Sequence, residues 1–308
     1  METGRKNYLI RAASCVALAA VMTGAAELIG EKEIIFPEIT ALTVGAIAAP
    51  KQSWRVSRSR IILLIAVCSV LGIIIVRFIP LPKAANLALA YLICQAIYLF
   101  SGTSFAPMIS AAALPVLMGT ESIIYPISAV TMTALTALVQ FILEKTGVYT
   151  REEFTPLPRP DRFSCISAAV RTCFAAVPAF PLIHFGWQFC IAPPLLVAFT
   201  EFSNPASKAR AKPIKTVLII TVCAVSGALF RYILCGMAGL PLTAAVICSV
   251  AAALTIMKLA GQFIPPAGAL GVLPMIIPQE SLLIYPVEIF CGAAVFMLAA
   301  LCFRRKET

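Results

Sequence analysis

Histidine and aspartate are almost missing from this chain: its 308 residues hold one of each, His184 and Asp161. A pair of aspartates for intramembrane proteolysis is excluded, a histidine-based metal cluster has no ligands, and a His–Asp proton relay has no members. No GxxxxGK[ST] loop is present to cradle a phosphate. No CxxC pair occurs among the 11 cysteines. They lie scattered through apolar runs (Cys15, Cys68, Cys94, Cys223, Cys248 and Cys291 among them) and read as small apolar packing side chains, not as a disulfide or metal framework. The chain is therefore not expected to be an enzyme, to carry a cofactor or to bind a metal.

Charge is scarce as well. Only 12% of residues are charged, against about 25% in a soluble domain. Hydrophobic residues make up 60% and the mean hydropathy is +0.95. Such a chain cannot cover a water-facing surface, so lipid is its solvent. The apolar run at 8–28 has the length of a spanning helix, about 20 residues. It follows a basic start without a small-residue cleavage site, and reads as a first membrane helix, not a signal peptide. The net charge of +10 would suggest nucleic acid in a soluble protein; here topology accounts for it, and no nucleic-acid partner is expected.

The sequence repeats itself. Glu121-Ser122-Ile123-Ile124-Tyr125-Pro126 recurs as Glu280-Ser281-Leu282-Leu283-Ile284-Tyr285-Pro286, and Leu114-Pro115 as Leu273-Pro274. Ala106-Pro107 matches Pro265-Pro266. Val67-Cys68, Gly72 and Arg77 match Val222-Cys223, Gly227 and Arg231. Pro50 and Pro205 each precede a basic loop, and Arg11 matches Arg171. The offset stays between 154 and 160. This predicts an all-α, polytopic membrane bundle of about twelve segments in two six-segment repeats, 1–146 and 164–308, joined by an exposed proline-rich cytoplasmic linker at 147–163. The segments fall near 8–28, 34–50, 61–80, 85–101, 105–119 and 122–143, then 166–184, 188–203, 216–235, 240–260, 264–278 and 282–303.

Basic residues set the orientation. With the N-terminus in the cytoplasm and every segment crossing, 18 of 24 basic residues fall inside. They include Arg5, Lys6 and Arg11, the loops 51–60, 145–162 and 208–215, and Arg304, Arg305 and Lys306. The outer loops receive Lys32 and Lys83. An odd number of crossings per copy would put 208–215 outside, so the repeats are expected to be parallel, with both termini cytoplasmic in an inner membrane and their axis along the membrane normal.

Segments two and five of each copy are short and broken by proline. Paired short segments of this kind point to a transport site, and helix starts with free N–H groups favour an anion. The expected substrate-binding residues are Thr103, Ser104 and Pro107 in the first copy and Gln262, Pro265, Pro266 and Gly268 in the second. Glu38 joins them as the plausible proton-coupled carboxylate beside a broken segment; an alternative places it at the interface with Glu31 and Glu33. Arg77 and Arg231 either reach outward to headgroups or flank an anion entrance. Arg171 and Lys258 are expected to reach the cytoplasmic face. Glu121 and Glu280 fall in outer loops, and Glu288 lies a turn into the last segment.

Ile264-Pro265-Pro266-Ala267-Gly268-Ala269, the Ala192-Pro193 start and the Asn204-Pro205-Ala206-Ser207 turn resemble the HPP family of integral membrane proteins, named for a His-Pro-Pro motif continuing as Ala-Gly-Ala. The resemblance covers 192–303, and the first copy through the repeat. Ile264 and Phe105 stand where the family has its histidine, and the unit is doubled here. Plant members are linked to nitrite movement across a membrane, so the resemblance implies a small monovalent anion. The expected function is a transporter or channel-like protein for a small polar solute, anionic in preference, with the lipid bilayer as its other partner and a homo-oligomer left open. The alternative is a non-transporting membrane scaffold or accessory subunit.

Overall fold

A computed structural model describes residues 2–303, with side chains from Gly4; Arg304, Arg305 and Lys306 lie outside the described residues. Among the described residues every regular element is helical. The first half holds α1 (Glu2–Ile29), α2 (Glu38–Thr43, continued by a π-helical turn Val44–Ala48), α3 (Arg58–Phe78), α4 (Lys83–Phe100), α5 (Met108–Met118) and α6 (Ile124–Lys145). The second holds α7 (Arg162–His184), α8 (Pro193–Phe202), α9 (Pro213–Phe230, continued by Arg231–Met237), α10 (Leu242–Ala260), α11 (Pro265–Val272, continued by Leu273–Met275) and α12 (Tyr285–Leu301).

Seven of these helices are long and apolar enough to cross a membrane: α1, α3, α4, α6, α7, α9 with its π turn, and α10. α12 is apolar but has 17 residues. The remaining four are short. α5 has 11 residues and α8 has 10, roughly 15–17 Å of rise against a core of about 30 Å. Proline is the local cause. Pro37, Pro107, Pro193 and Pro265 stand at or just before the first turn, where a missing N–H costs nothing.

The long helices present apolar side chains outward. On α3 the exposed stripe is Leu63, Val67, Val70 and Ile74; on α9 it is Leu218, Val222, Val225 and Leu229. The spacing of three and four marks one helix face, and an outward apolar face fits lipid. The short helices are enclosed instead. Residues 38–48, 105–117 and 192–200 are buried, and so are 264–275.

Two groups of three helices pack alike. α3 lies on α5 and α6, as α9 lies on α11 and α12. The recurring glycines explain the close approach. A Cβ at Gly72 would overlap Ala112 and Pro115, and one at Gly227 would overlap Gly271. The halves interlock: α1 packs on α10, α4 on α7, α2 on α11 and α5 on α8. Glu27 on α1 caps the start of α10, accepting from the Leu242 and Thr243 backbone and from the Thr243 hydroxyl. At the other end of the same pair, the Tyr8 hydroxyl donates to the Leu254 carbonyl at 3.1 Å, and the Lys258 ammonium lies 3.9 Å from the Tyr8 ring centre.

One end of the bundle collects the basic loops. Arg58 pairs with Glu144, Lys51 with Glu152 at 2.8 Å, and Arg210 binds the last carbonyls of α12. The linker at 147–163 is largely exposed, as expected, and straps across this end. Arg151 donates to the Val56 carbonyl, Leu157 N–H to Gly102, and the Phe154 ring lies under Arg60. Lys51 holds the Glu152 carboxyl below its ordinary range, while burial pushes the Tyr149 hydroxyl up to about 12.

The Leu-Pro and Tyr-Pro motifs prove to be one device. In α5 the Ala111 carbonyl would bond the N–H of residue 115, which is proline and has none. The Tyr125 hydroxyl fills that vacancy at 2.9 Å. In α11 the Leu270 carbonyl loses its partner to Pro274, and the Tyr285 hydroxyl donates to it at 2.7 Å. Tyr125→Phe should therefore lower stability by about 1–3 kcal/mol, the cost of a buried carbonyl left open. In a Pro115→Ala background, where residue 115 regains its N–H, the same change should cost far less. Thermal unfolding of the four variants in detergent tests this; equal losses in both backgrounds would mean that proline and hydroxyl act independently.

Candidate functional site

Glu38 opens α2. Pro37 fixes helical backbone ahead of it (φ −53°, ψ −28°), and Thr40 N–H bonds the Pro37 carbonyl. Two contacts set the depth of α2. The Phe36 N–H reaches the Met22 sulfur at 3.2 Å, and the Cys15 thiol reaches the Thr43 carbonyl at 3.5 Å. Since α1 runs from Glu2 to Ile29, Glu38 lies beside its middle third, away from both ends. The interface position beside Glu31 and Glu33 is not the one observed: Glu38 is 1% exposed.

The Glu38 carboxyl has one hydrogen-bond partner. Ser110, a turn into α5, donates its hydroxyl to Oε1. Oε2 has no partner among the described residues, and neither has the Thr40 hydroxyl. Ser110 was not visible as a site residue in the sequence, where it is one serine in an apolar run. Gly268 of α11 closes on the same short helix. A Cβ there would come within 3.1–3.3 Å of Val44 and Thr40. The structure thus brings Glu38 and Gly268 to opposite sides of α2, one facing α5 and the other belonging to α11.

The other expected site residues are engaged locally. The Thr103 hydroxyl shares a hydrogen bond with Ser101 at 2.8 Å and accepts from the Phe105 N–H at 3.3 Å. The Ser104 hydroxyl accepts from the Arg55 N–H at 2.9 Å. Gln262 donates to the Thr216 hydroxyl at 2.7 Å, leaving its Oε1 unpaired. Pro107 precedes α5, and Pro265 and Pro266 open α11, all three buried. The N–H groups of Ala106, Ile109, Ser110 and Ala267 bond carbonyls of their own turns, so these starts are largely capped from within.

A cleft of about 180 Å³ opens at the end away from the basic loops. Lys32 and Glu33 stand at it, with Leu114, Pro115, Tyr125 and Ile276. Tyr125 connects this cleft to the interior, because its hydroxyl binds Ala111, the residue next to Ser110.

Among the other charged positions one differs from expectation, Arg171. Arg77 and Arg231 do not stand free. Arg77 donates to the Glu121 carbonyl at 2.7 Å, and Arg231 to the carbonyls of Pro274 and of Ile277, the latter at 2.7 Å. Both close the turn after a short helix. Arg171 does not reach the basic face; it is 7% exposed and bound to Gln95. Glu288 is buried, and accepts from the Phe189 N–H at 2.7 Å.

Ser110→Ala removes the partner of a buried carboxyl and should cost about 1–3 kcal/mol of stability. Ser226→Ala is the control, because that hydroxyl only bonds its own helix at Cys223. Unfolding in detergent compares them, and equal losses would remove the Glu38–Ser110 bond from the account. No family model, curated protein or solved structure matches the chain.

Proposed function

We propose that the chain is a membrane transporter or channel-like protein for a small polar solute, with a small monovalent anion such as nitrite as the first candidate. The observation that carries this reading is the Glu38–Ser110 pair. A carboxyl with an open oxygen lies at mid-depth in a helical bundle, on a half-length helix packed against α1, α6 and α11. Unpaired polar atoms in a membrane interior are costly, and are retained where a solute or proton uses them. The cleft at Tyr125 provides an approach from one side. The anion preference rests on the resemblance to HPP proteins and on the excess of cationic groups.

In this reading the halves, 1–146 and 164–308, are parallel repeats of six segments each. Contacts within α3–α5–α6 and α9–α11–α12 support it, as do the reciprocal pairs α1–α10 and α4–α7. The basic end faces the cytoplasm of an inner membrane, with both termini there, by the positive-inside rule. Labelling single cysteines in 51–60 and 208–215 on opposite faces of the membrane would overturn the parallel arrangement.

The scaffold reading draws on a different observation. Thr103, Ser104 and Gln262 already serve neighbouring groups, so their polarity has a structural use. Flux into proteoliposomes separates the two. Nitrite, nitrate, formate, chloride and bicarbonate should be screened. Transport predicts a saturable flux for one of them, strongly reduced in Glu38→Gln and Ser110→Ala. Absence of flux for every solute, from folded and inserted protein, would favour the scaffold.

A further inference from the structure

Arg171 lies in α7, whose first residue is Arg162, and its side chain turns into the protein. Its Nε and Nη2 donate to the Gln95 side-chain oxygen at 3.2 and 2.9 Å. Gln95, on α4, is 1% exposed and turns its own amide N–H to the Thr200 hydroxyl of α8 at 2.8 Å. The Tyr91 hydroxyl meets the same Thr200 oxygen at 2.9 Å, and Thr200 in turn donates to the Leu196 carbonyl at 3.0 Å. The Phe303 ring centre lies 6.0 Å from the guanidinium carbon. Every one of these partners is neutral.

The ion pairs among the described residues are Lys51–Glu152 and Arg58–Glu144, so Arg171 has no carboxylate among them. Its guanidinium keeps its proton in any protein setting, and cannot shed the charge as a buried lysine would. A buried charge without a counter-charge is unfavourable, because burial removes its hydration without replacing it. Two of the five guanidinium N–H groups are accounted for by Gln95, which leaves donors for another acceptor. The group is also held in place: Gln95 accepts on one side and donates on the other, so its oxygen must face Arg171. Gln95 and Thr200 lie near the ends of α4 (Phe100) and α8 (Phe202), a turn or so from the basic end.

The matching residue of the first half is arranged differently. Arg11 donates to the Ala49 carbonyl at 3.2 Å and lies 5.8 Å from the Tyr149 ring centre. Opposite it α10 offers Val250 and Leu254 near the places of Tyr91 and Gln95. The polar ladder therefore belongs to the α4–α7–α8 junction alone.

We infer that Arg171 is the charged centre of a binding site for a compact monovalent anion, approached from the basic end, with the Gln95–Thr200–Tyr91 ladder fixing its orientation. The site deepens the proposed function by naming where an anion would be held, and rests on that reading for its role in transport, though not for binding itself. A lipid phosphate is the other source of a compact anionic group, and the enclosure by Gln95, Tyr91 and Phe303 favours a free ion.

The test is binding, not flux. Purified full-length protein in neutral detergent and a chloride-free sulfate buffer is titrated with sodium nitrite, sodium chloride and a short-chain anionic phospholipid. Calorimetry and the unfolding temperature are the readouts. Saturable binding of nitrite or chloride is expected, with a rise in unfolding temperature. Arg171→Gln should weaken it roughly tenfold or more, and Arg171→Lys should keep part of it. Circular dichroism and monodisperse elution confirm that the variants fold. Binding left unchanged by Arg171→Gln, or no binding by folded wild type, would overturn the site. Saturation by the phospholipid alone would reassign it to a headgroup. If binding holds and flux is absent, the transport reading fails and this one stands.

Discussion

A backbone placed in lipid must satisfy its own hydrogen bonds, and the rest of this structure follows from how four proline-broken helices meet that demand. A short helix leaves carbonyls and N–H groups open at a depth where no water reaches. Here several of these openings are closed by side chains of other helices. Tyr125 and Tyr285 answer the carbonyls that Pro115 and Pro274 orphan. Arg77 and Arg231 answer carbonyls in the turns that follow. The Gln140 amide reaches the Ala46 carbonyl at 2.9 Å, inside the π-helical turn that ends α2. Because the closing groups come from other helices, the short helices can exist only in the interior, with the long apolar helices around them.

The same demand ties the two halves together. α2 and α8 are too short to form an enclosed layer within their own half, and each is covered by a short helix of the other, α11 and α5. α1 and α7 reach across in the same way, to α10 and α4. Glu27 shows how close this joining is, since an acidic side chain from one half supplies the cap that the first turn of α10 lacks. A carboxylate at a helix start is favoured by the dipole, so the contact also aligns α10 along α1.

Much of this framework was legible in the sequence. Every regular element among the described residues is helical and seven helices are long and apolar enough to cross a membrane, because hydrophobic runs and prolines report directly on local structure. The recurring Gly72 and Gly227 were visible as a match, and the close approach to α5 and α11 is their physical content. Other features were not legible, since they depend on what lies beside a helix and not along it. Arg171 lies in the first half of α7, from which reaching back to the membrane surface is the usual solution; Gln95, Thr200 and Tyr91, which hold it inside, come from other helices 29 to 80 positions away. Thr103 and Ser104 had the polarity of a site, yet the backbone turns they cap lie within two residues or in the adjoining 49–57 loop. The link between Pro115 and Tyr125 was within reach, because a proline names its orphan carbonyl four residues earlier. No sequence rule says which hydroxyl will come to it.

The apolar contacts and the groups that close the orphan carbonyls recur, while other polar groups do not. Position 128 carries a serine that donates to the Ile34 carbonyl at 2.6 Å, and the matching position 288 carries a glutamate that accepts from the Phe189 N–H. Pro194 stands at the position matching Glu38, the glutamate of α8 being Glu201, which accepts from the Trp54 ring N–H at 2.7 Å, and the ladder at Arg171 has no counterpart at Arg11. If the halves are the parallel repeats proposed, this difference bears on why they share one chain. A dimer of identical units would place a Glu38 at both centres and an Arg171 at both junctions, doubling each uncompensated group in a low-dielectric interior. Joining the copies lets Glu38 stand in one half only and Arg171 in the other, while the apolar contacts that build the bundle stay the same in both. The symmetric part of the molecule is then the part that satisfies the backbone, and the asymmetric part is where recognition of a solute has to be sought.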